Sequence, residues 1–266
     1  MSLTLQNVSR VVEGETWIDD VNLTLEPGSF NVLLGRTLSG KTTLMRLMAG
    51  LDKPTKGKII MNGVDVTGVP VRERNNSMVY PQFINYPNLS VYENNPSSLR
   101  LAAMDEKEVD RRVRETATML RIDPFLDRLP LQLSGGQQQR TAMARALVKD
   151  SQIVLFDEPL VNLDYKLREE LRQELRALFK IRNCIAVYAT TEPNEALALG
   201  GNTAVLNEGR LLQMGPTALV YHQPKNIVPA EMFLEPPINI VKGRVSEEEV
   251  TFDETVHFRL NSDLRG

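Results

Sequence analysis

The sequence predicts an α/β fold: a mixed, mainly parallel sheet with an antiparallel β layer at its N-terminal edge. Three observations carry this. An apolar run (Phe30, Val32, Leu33, Leu34) leads into the loop Gly35-Arg36-Thr37-Leu38-Ser39-Gly40-Lys41-Thr42-Thr43, and the loop leads into a helical pattern at Leu44, Leu47 and Met48. A second run, Ile153-Val154-Leu155-Phe156, is apolar throughout, as a strand buried on both faces of a parallel sheet must be, and it ends on Asp157-Glu158. Upstream of both, residues 3–8 and 18–25 alternate polar and apolar side chains, the signature of half-buried strands.

The remaining elements follow in order. Pro27-Gly28 is a turn, and the loop's helix runs to Gly50. Residues 58–61 and Ser77–Tyr80 read as strands, with Asn62-Gly63 as a hairpin signal. Residues 81–100 hold Pro81, Pro87 and Pro96 and show no period, so they read as loop. From Asp105, Val109, Val113, Ala117 and Leu120 recur at helical spacing with charges on the other face, which predicts a surface helix. Ser134 is a good N-cap for a helix reaching Val148. Over 165–181, Leu167, Leu171, Leu175 and Leu178 define the clearest amphipathic helix. Residues 184–190 read as a buried strand, and 202–206 with 210–214 as a hairpin around Glu208-Gly209. After Pro236-Pro237, three short strands (Asn239–Val245, Val250–Phe252, Val256–Leu260) suggest a second β domain that stops early.

Composition narrows the class. With 42% hydrophobic and 24% charged residues the chain is ordinary globular protein. A net charge of −3 makes no demand for nucleic acid or an anionic membrane surface as a partner. No apolar stretch is long enough to span a bilayer, and the N-terminus lacks a signal-peptide core, so a cytosolic location is expected. Cys184 is the only cysteine and sits in an apolar run, as a structural thiol does.

The pattern G-x-x-x-x-G-K-[ST] between strand and helix is a phosphate-binding loop. Its backbone N–H groups form an anion nest, and the helix N-terminus adds a positive dipole end. Lys41 is expected to reach the β- and γ-phosphates, and the Thr42 hydroxyl to ligate Mg²⁺. Asp157 is placed to hold the same metal. Glu158 is placed to orient or deprotonate an attacking water.

Gly35–Thr43, then Leu133-Ser134-Gly135-Gly136-Gln137, then Ile153–Pro159, then Asn162-Leu163-Asp164 together resemble the ATP-binding cassette (ABC) ATPases, over about residues 3–235. The segments Tyr86–Asn94 and Asn162–Arg168 are similar to importer subunits of the maltose and glycerol phosphate type. The resemblance implies ATP and Mg²⁺ as cofactors, and a helical subdomain at about 88–150 in a nucleotide-binding domain of 1–235. It further implies an oligonucleotide-fold-like (OB-like) β domain, of which 236–266 is the beginning. It implies two cassettes closed head to tail, so that Ser134, Gly135, Gly136 and Gln137 serve a nucleotide held mainly by a second ATPase chain. Gln82 would be a metal ligand in a loop facing transmembrane permease subunits at the cytoplasmic face of the bacterial inner membrane, with a solute-binding protein as indirect partner.

Three expected residues are absent. The aromatic near residue 12 that stacks on adenine is replaced by Val11 and Val12, which raises the question whether Trp17 substitutes for it. Pro81 occupies the usual place of the loop glutamine, with Gln82 following. The histidine after the strand at 184–190 is Thr191, in Thr190-Thr191-Glu192-Pro193, a variant that resembles one chain of the two-ATPase glycerol importers. Because the histidine organises the attacking water, the expectation is an ATPase that is slow in its own site, with Thr191 keeping a hydroxyl there. The alternatives are a non-hydrolysing regulatory cassette, and a soluble ABC protein acting on ribosomes or DNA. One cassette, no sustained heptads and a slightly acidic balance speak against the last.

Overall fold

Strands β1 (Leu3–Val12) and β2 (Glu15–Leu25) pair antiparallel across Glu13-Gly14. Both turn residues have positive φ, the geometry whose twist matches that of a hairpin. The computed structural model describes residues 2–82, 84–96, 99–100, 103–161, 163–181, 184–234, 238–246, 249–252 and 256–259. It divides into two units, Met1–Phe233 and Leu234–Gly266.

In the first unit, β3 (Phe30–Leu34) precedes the glycine loop and α1 (Lys41–Ala49) follows it. Strand β4 (Lys56–Met61) pairs with β1, and β5 (Val64–Asp65) turns back on β4 at Asn62-Gly63, giving the antiparallel order β2-β1-β4-β5. The central sheet adds β6 (Asn76–Val79), β7 (Ile153–Asp157), β8 (Ile185–Thr190), β9 (Asn202–Asn207) and β10 (Arg210–Pro216) to β3. Its order is β10-β9-β3-β8-β7-β6, parallel throughout except for the β9–β10 hairpin. This is the mixed, mainly parallel sheet the sequence predicts, with its antiparallel layer.

Alternate residues of the central strands serve two separate cores. Leu33, Leu155, Val187, Ala189 and Leu206 pack with α1 and the antiparallel layer. Val32, Leu34, Val154, Phe156, Ala186 and Tyr188 pack with the helices on the other face. Those helices include α3 (Glu106–Met119), α4 (Gly135–Leu147), α5 (Tyr165–Ile181) and α6 (Pro193–Leu199), and further on α7 (Thr217–His222) and α8 (Ile227–Phe233). On α3 the predicted stripe Val109, Val113 and Ala117 is buried, and Asp105 caps the helix by accepting from the Lys107 N–H.

The segment read as unbroken loop contains a helix, α2 (Val91–Asn94). Ser90 accepts from the Glu93 N–H and Glu93 accepts from the Ser90 N–H, a reciprocal cap. The buried Asn94 amide knots the preceding turn. It accepts from the Tyr86 N–H and donates to the carbonyls of Tyr86, Leu89 and Ser90. A single side chain organises this segment, so no apolar period announces it.

The second unit holds an antiparallel sheet of β11 (Arg244–Val245), β12 (Glu249–Phe252) and β13 (Val256–Arg259). The first strand is much shorter than the expected Asn239–Val245: pairing to β12 stops at Arg244 opposite Thr251. Leu260, given to the last strand, lies outside the described residues.

Candidate nucleotide site

Strands β3, β7 and β8 end side by side, with Leu34 opposite Thr190 and Asp157 opposite Ala189. In open α/β sheets this edge collects ligands, because loops with free backbone groups diverge there. Gly35 N–H donates to the Thr190 carbonyl, and a Cβ at Gly35 would lie 2.4 Å from Ser39 Oγ, so only glycine fits the start of the loop. The loop closes on Gly40, which takes φ +100° immediately before α1.

The Lys41 amine is buried beneath the loop. It donates to the carbonyls of Gly35 (2.8 Å) and Arg36 (3.1 Å) and lies 3.5 Å from Glu158 Oε1. Burial lowers its pKa, while Glu158 and then Asp157 pull it back up. Thr42 Oγ1 donates to Asp157, 2.8 Å from one carboxylate oxygen. Asp157 is buried at the end of β7. Desolvation raises its pKa against the Thr42 hydrogen bond, and the neighbouring Glu158 adds to the rise. Glu158 itself has φ +46°, a left-handed backbone that turns its side chain away from the strand, and its N–H donates to the Ala189 carbonyl.

Thr37 to Thr43 line a cleft of about 640 Å³ together with Glu15, Trp17, Arg46, Glu158 and Gly209. Leu38 stands 96% exposed at the tip of the loop. Beneath the loop, Ser39 Oγ is buried without a hydrogen-bond partner among the described residues. A concave loop of N–H groups, a buried cation and a hydroxyl–carboxylate pair at one wall are the donor set a triphosphate and a hard divalent cation require. The residues present therefore fit Mg-ATP.

The other predicted residues lie apart from this cleft. Ser134 caps α4: its hydroxyl accepts from Gln137 N–H and the Gln137 side chain accepts from Ser134 N–H. A Cβ at Gly136 would lie 2.5 Å from Leu167 Cδ2, so that glycine allows α4 to approach α5 closely. Ser134 and Gly135 are exposed and face none of the Lys41 cleft's lining. Gln82 is exposed, with its carbonyl accepting from Ile84 N–H. Thr191 is exposed just beyond β8. Asn162 lies outside the described residues.

Sequence reasoning missed the far wall of the cleft. The β9–β10 turn comes back onto the loop, with Gly209 N–H donating to the Ser39 carbonyl and the Gly209 carbonyl accepting from Asp19 N–H. Arg46 and Asp52, paired at 2.7 Å, also line it. The Gly209 turn is placed there by β9 pairing beside β3, and the Arg46–Asp52 pair forms across the C-terminal end of α1. Trp17 is half exposed on the same wall.

Comparison with known proteins agrees with this geometry. The family model described as "ABC transporter" matches residues 18–161, more than half of the chain. The sn-glycerol-3-phosphate import ATP-binding protein UgpC of Roseobacter denitrificans is 39% identical over 95% of this chain and 68% of its own length. The Fe(3+) ions import ATP-binding protein FbpC of Escherichia coli O157:H7 is 39% identical over 92% and 70%. The solved dimeric structure of MJ0796, a bacterial ABC transporter cassette, superposes with a TM-score of 0.73 at 30% identity, covering 81% of this chain and 98% of that one. A post-hydrolysis dimer of the same cassette, bound to ADP and Pi, aligns equally well. No described helix is long and apolar enough to cross a membrane. The loop-bound lysine, the hydroxyl–carboxylate pair and these relatives lead to one conclusion: the chain belongs to the ABC transporter family, as one of its ATP-binding ATPase subunits.

Proposed function

We propose that this chain powers import of a small polyol, sugar or glycerol phosphate, with glycerol as the first solute to try, from the cytoplasmic face of the bacterial inner membrane. The observation that carries the chemistry is the meeting of Thr42 with Asp157 and of Lys41 with Glu158 at the strand ends. The import direction and the solute class rest on relatives whose names specify glycerol-3-phosphate or ferric ion import.

In this reading Lys41 holds the β- and γ-phosphates, while Gly35 to Thr43 supply backbone donors. Thr42 and Asp157 hold Mg²⁺, with Gln82 as a further ligand from its own loop. A magnesium ion there neutralises charge on the phosphate oxygens. Glu158 accepts a proton from the attacking water. Trp17 offers adenine the aromatic face that Val11 and Val12 lack. Ser134, Gly135, Gly136 and Gln137 cap a nucleotide on a second cassette, and the loop around Gln82 meets the permease. Thr191 supports slow hydrolysis only, so the competent site in the assembly belongs to the second ATPase chain. The helical segment at about 88–150 and a β domain from 236 complete the arrangement.

Full-length protein is titrated with Mg-ATP while the emission of its one tryptophan is followed, and single-turnover hydrolysis is then measured. Saturable binding with slow turnover is expected. Turnover typical of whole importers and untouched by Thr191→Ala overturns the slow-site reading, and no saturable signal overturns the nucleotide site. A regulatory, non-hydrolysing role is the second reading, because Thr191 replaces a water-organising side chain; binding with no turnover at all would establish it.

A further inference from the structure

We propose that Arg168 is a positioning residue for hydrolysis, clamping the loop that follows Glu158 to the turn that carries Thr191. The inference rests on the nucleotide site proposed above.

Arg168 lies in the first turn of α5, outside the cleft. Its guanidinium is forked between two segments. Nη1 donates to Glu192 Oε1 at 2.5 Å. Nη2 donates to the carbonyls of Leu163 (3.3 Å) and Val161 (3.4 Å), in the loop after Glu158. The side chain is only 19% exposed, and its Nε is buried without a partner. An ion pair whose carboxylate is half exposed adds little to stability, because solvent screens it, and the orphaned Nε–H subtracts further. What the fork does accomplish is geometric: one planar cation fixes the distance between two loops.

Those loops are joined at a second point. Glu158 N–H donates to the Ala189 carbonyl, at the base of both. A single attachment leaves a hinge, whereas two fix the relative placement of Glu158 and residue 191. On the β8 side, Thr191 is bracketed. Thr190 Oγ1 donates to the buried Glu195 (2.6 Å) and accepts from Glu192 N–H (3.0 Å), and Tyr188 also donates to Glu195 (3.0 Å). Thr190 in turn holds Gly35 through its carbonyl. Arg168 therefore closes a ring: phosphate loop, Thr190, Glu192, Arg168, the Val161 and Leu163 carbonyls, and Glu158. With threonine in place of a longer water-organising side chain, placement of this turn against Glu158 is the remaining control on the rate.

The test uses the full chain with Arg168→Lys, Arg168→Gln, Glu192→Gln, the double Gln variant and the charge-exchanged pair Arg168→Glu with Glu192→Arg. Single-turnover hydrolysis, equilibrium Mg-ATP affinity and thermal midpoint are read for each. A small misplacement of reacting groups costs on the order of 10–100-fold in rate, so Arg168→Gln and Glu192→Gln are each expected to slow hydrolysis by about that factor. ATP affinity is expected to stay within about threefold. The double variant should be no slower than the worse single, and the exchanged pair should recover part of the loss. Arg168→Lys, which keeps the charge but not the fork, should fall between. Unchanged hydrolysis in both Gln variants overturns the clamp. So does a parallel fall in rate, affinity and thermal midpoint, or strictly additive losses. If unsubstituted protein shows no saturable ATP binding, the nucleotide site itself fails; if it binds and hydrolyses while the variants match it, only the clamp fails.

Discussion

Thr42 and Asp157 are 115 residues apart in the chain, yet the Thr42 hydroxyl lies 2.8 Å from one Asp157 oxygen and 3.1 Å from the other. The pair joins the start of α1 to the end of β7, and its chemistry suits a hard cation. Asp157→Asn keeps the shape and removes the charge. ATP affinity in the presence of Mg²⁺ is expected to fall about tenfold, or about 1.4 kcal/mol, while affinity in chelator is unchanged. Titrations with and without EDTA check this, and equal losses in both would argue against a metal at this pair.

Thr191→His should speed single-turnover hydrolysis. Restoring one contact to developing charge is worth on the order of 10²-fold where the rest of the site is in place. Affinity for ATP should barely move, since Thr191 lies outside the cleft lining. A quenched-flow or hours-long single-turnover assay reads the difference.

Gly209 tests the far wall. It has φ +76°, and a Cβ there would lie 2.5 Å from the Trp17 carbonyl oxygen. Gly209→Ala is expected to lower stability by about 2 kcal/mol and to displace the turn from the phosphate loop. Denaturant melts give the first quantity, and the emission maximum of Trp17 reports the second.

Glu195 predicts a pH dependence of stability. Burial raises its pKa above the ordinary 4.5, against the donors Thr190 and Tyr188; Glu192 raises it further and Arg172 opposes. The folded state thus holds this proton more tightly than the unfolded chain. Its contribution is complete below pH 4.5 and is lost as pH rises to the folded pKa. Glu195→Gln cannot ionise, so its stability relative to the parent should be higher at pH 8 than at pH 4.5. Denaturant midpoints of both proteins at the two pH values decide it.

The strand-loop-helix at 30–49 and the apolar run ending on Asp157-Glu158 were legible because each is a local pattern with its own period, and the fold then brings Lys41, Thr42, Asp157 and Glu158 together. The cap at Ser90–Glu93 was equally local, but three prolines around it favoured a loop reading, and α2 was missed. Arg168 and Gly209 act through partners that only the tertiary structure supplies, Glu192 and the Ser39 carbonyl, and Asn94 acts through polar contacts to the turn just before it, at Tyr86, Leu89 and Ser90. Polar side chains of that kind leave no trace in hydrophobic spacing.

The sheet acts as a party wall between two independently packed rooms. Leu155 and Leu33 furnish one side, Phe156 and Leu34 the other, by simple odd–even alternation. Compensation for a void should consequently obey parity. A hole cut by Leu155→Ala can be refilled by enlarging Ala189, which shares its side on the adjoining strand, whereas added bulk at Ala186 swells the opposite room and leaves the hole open. Second-site revertants in this protein should sort by which neighbour's wall they hang on.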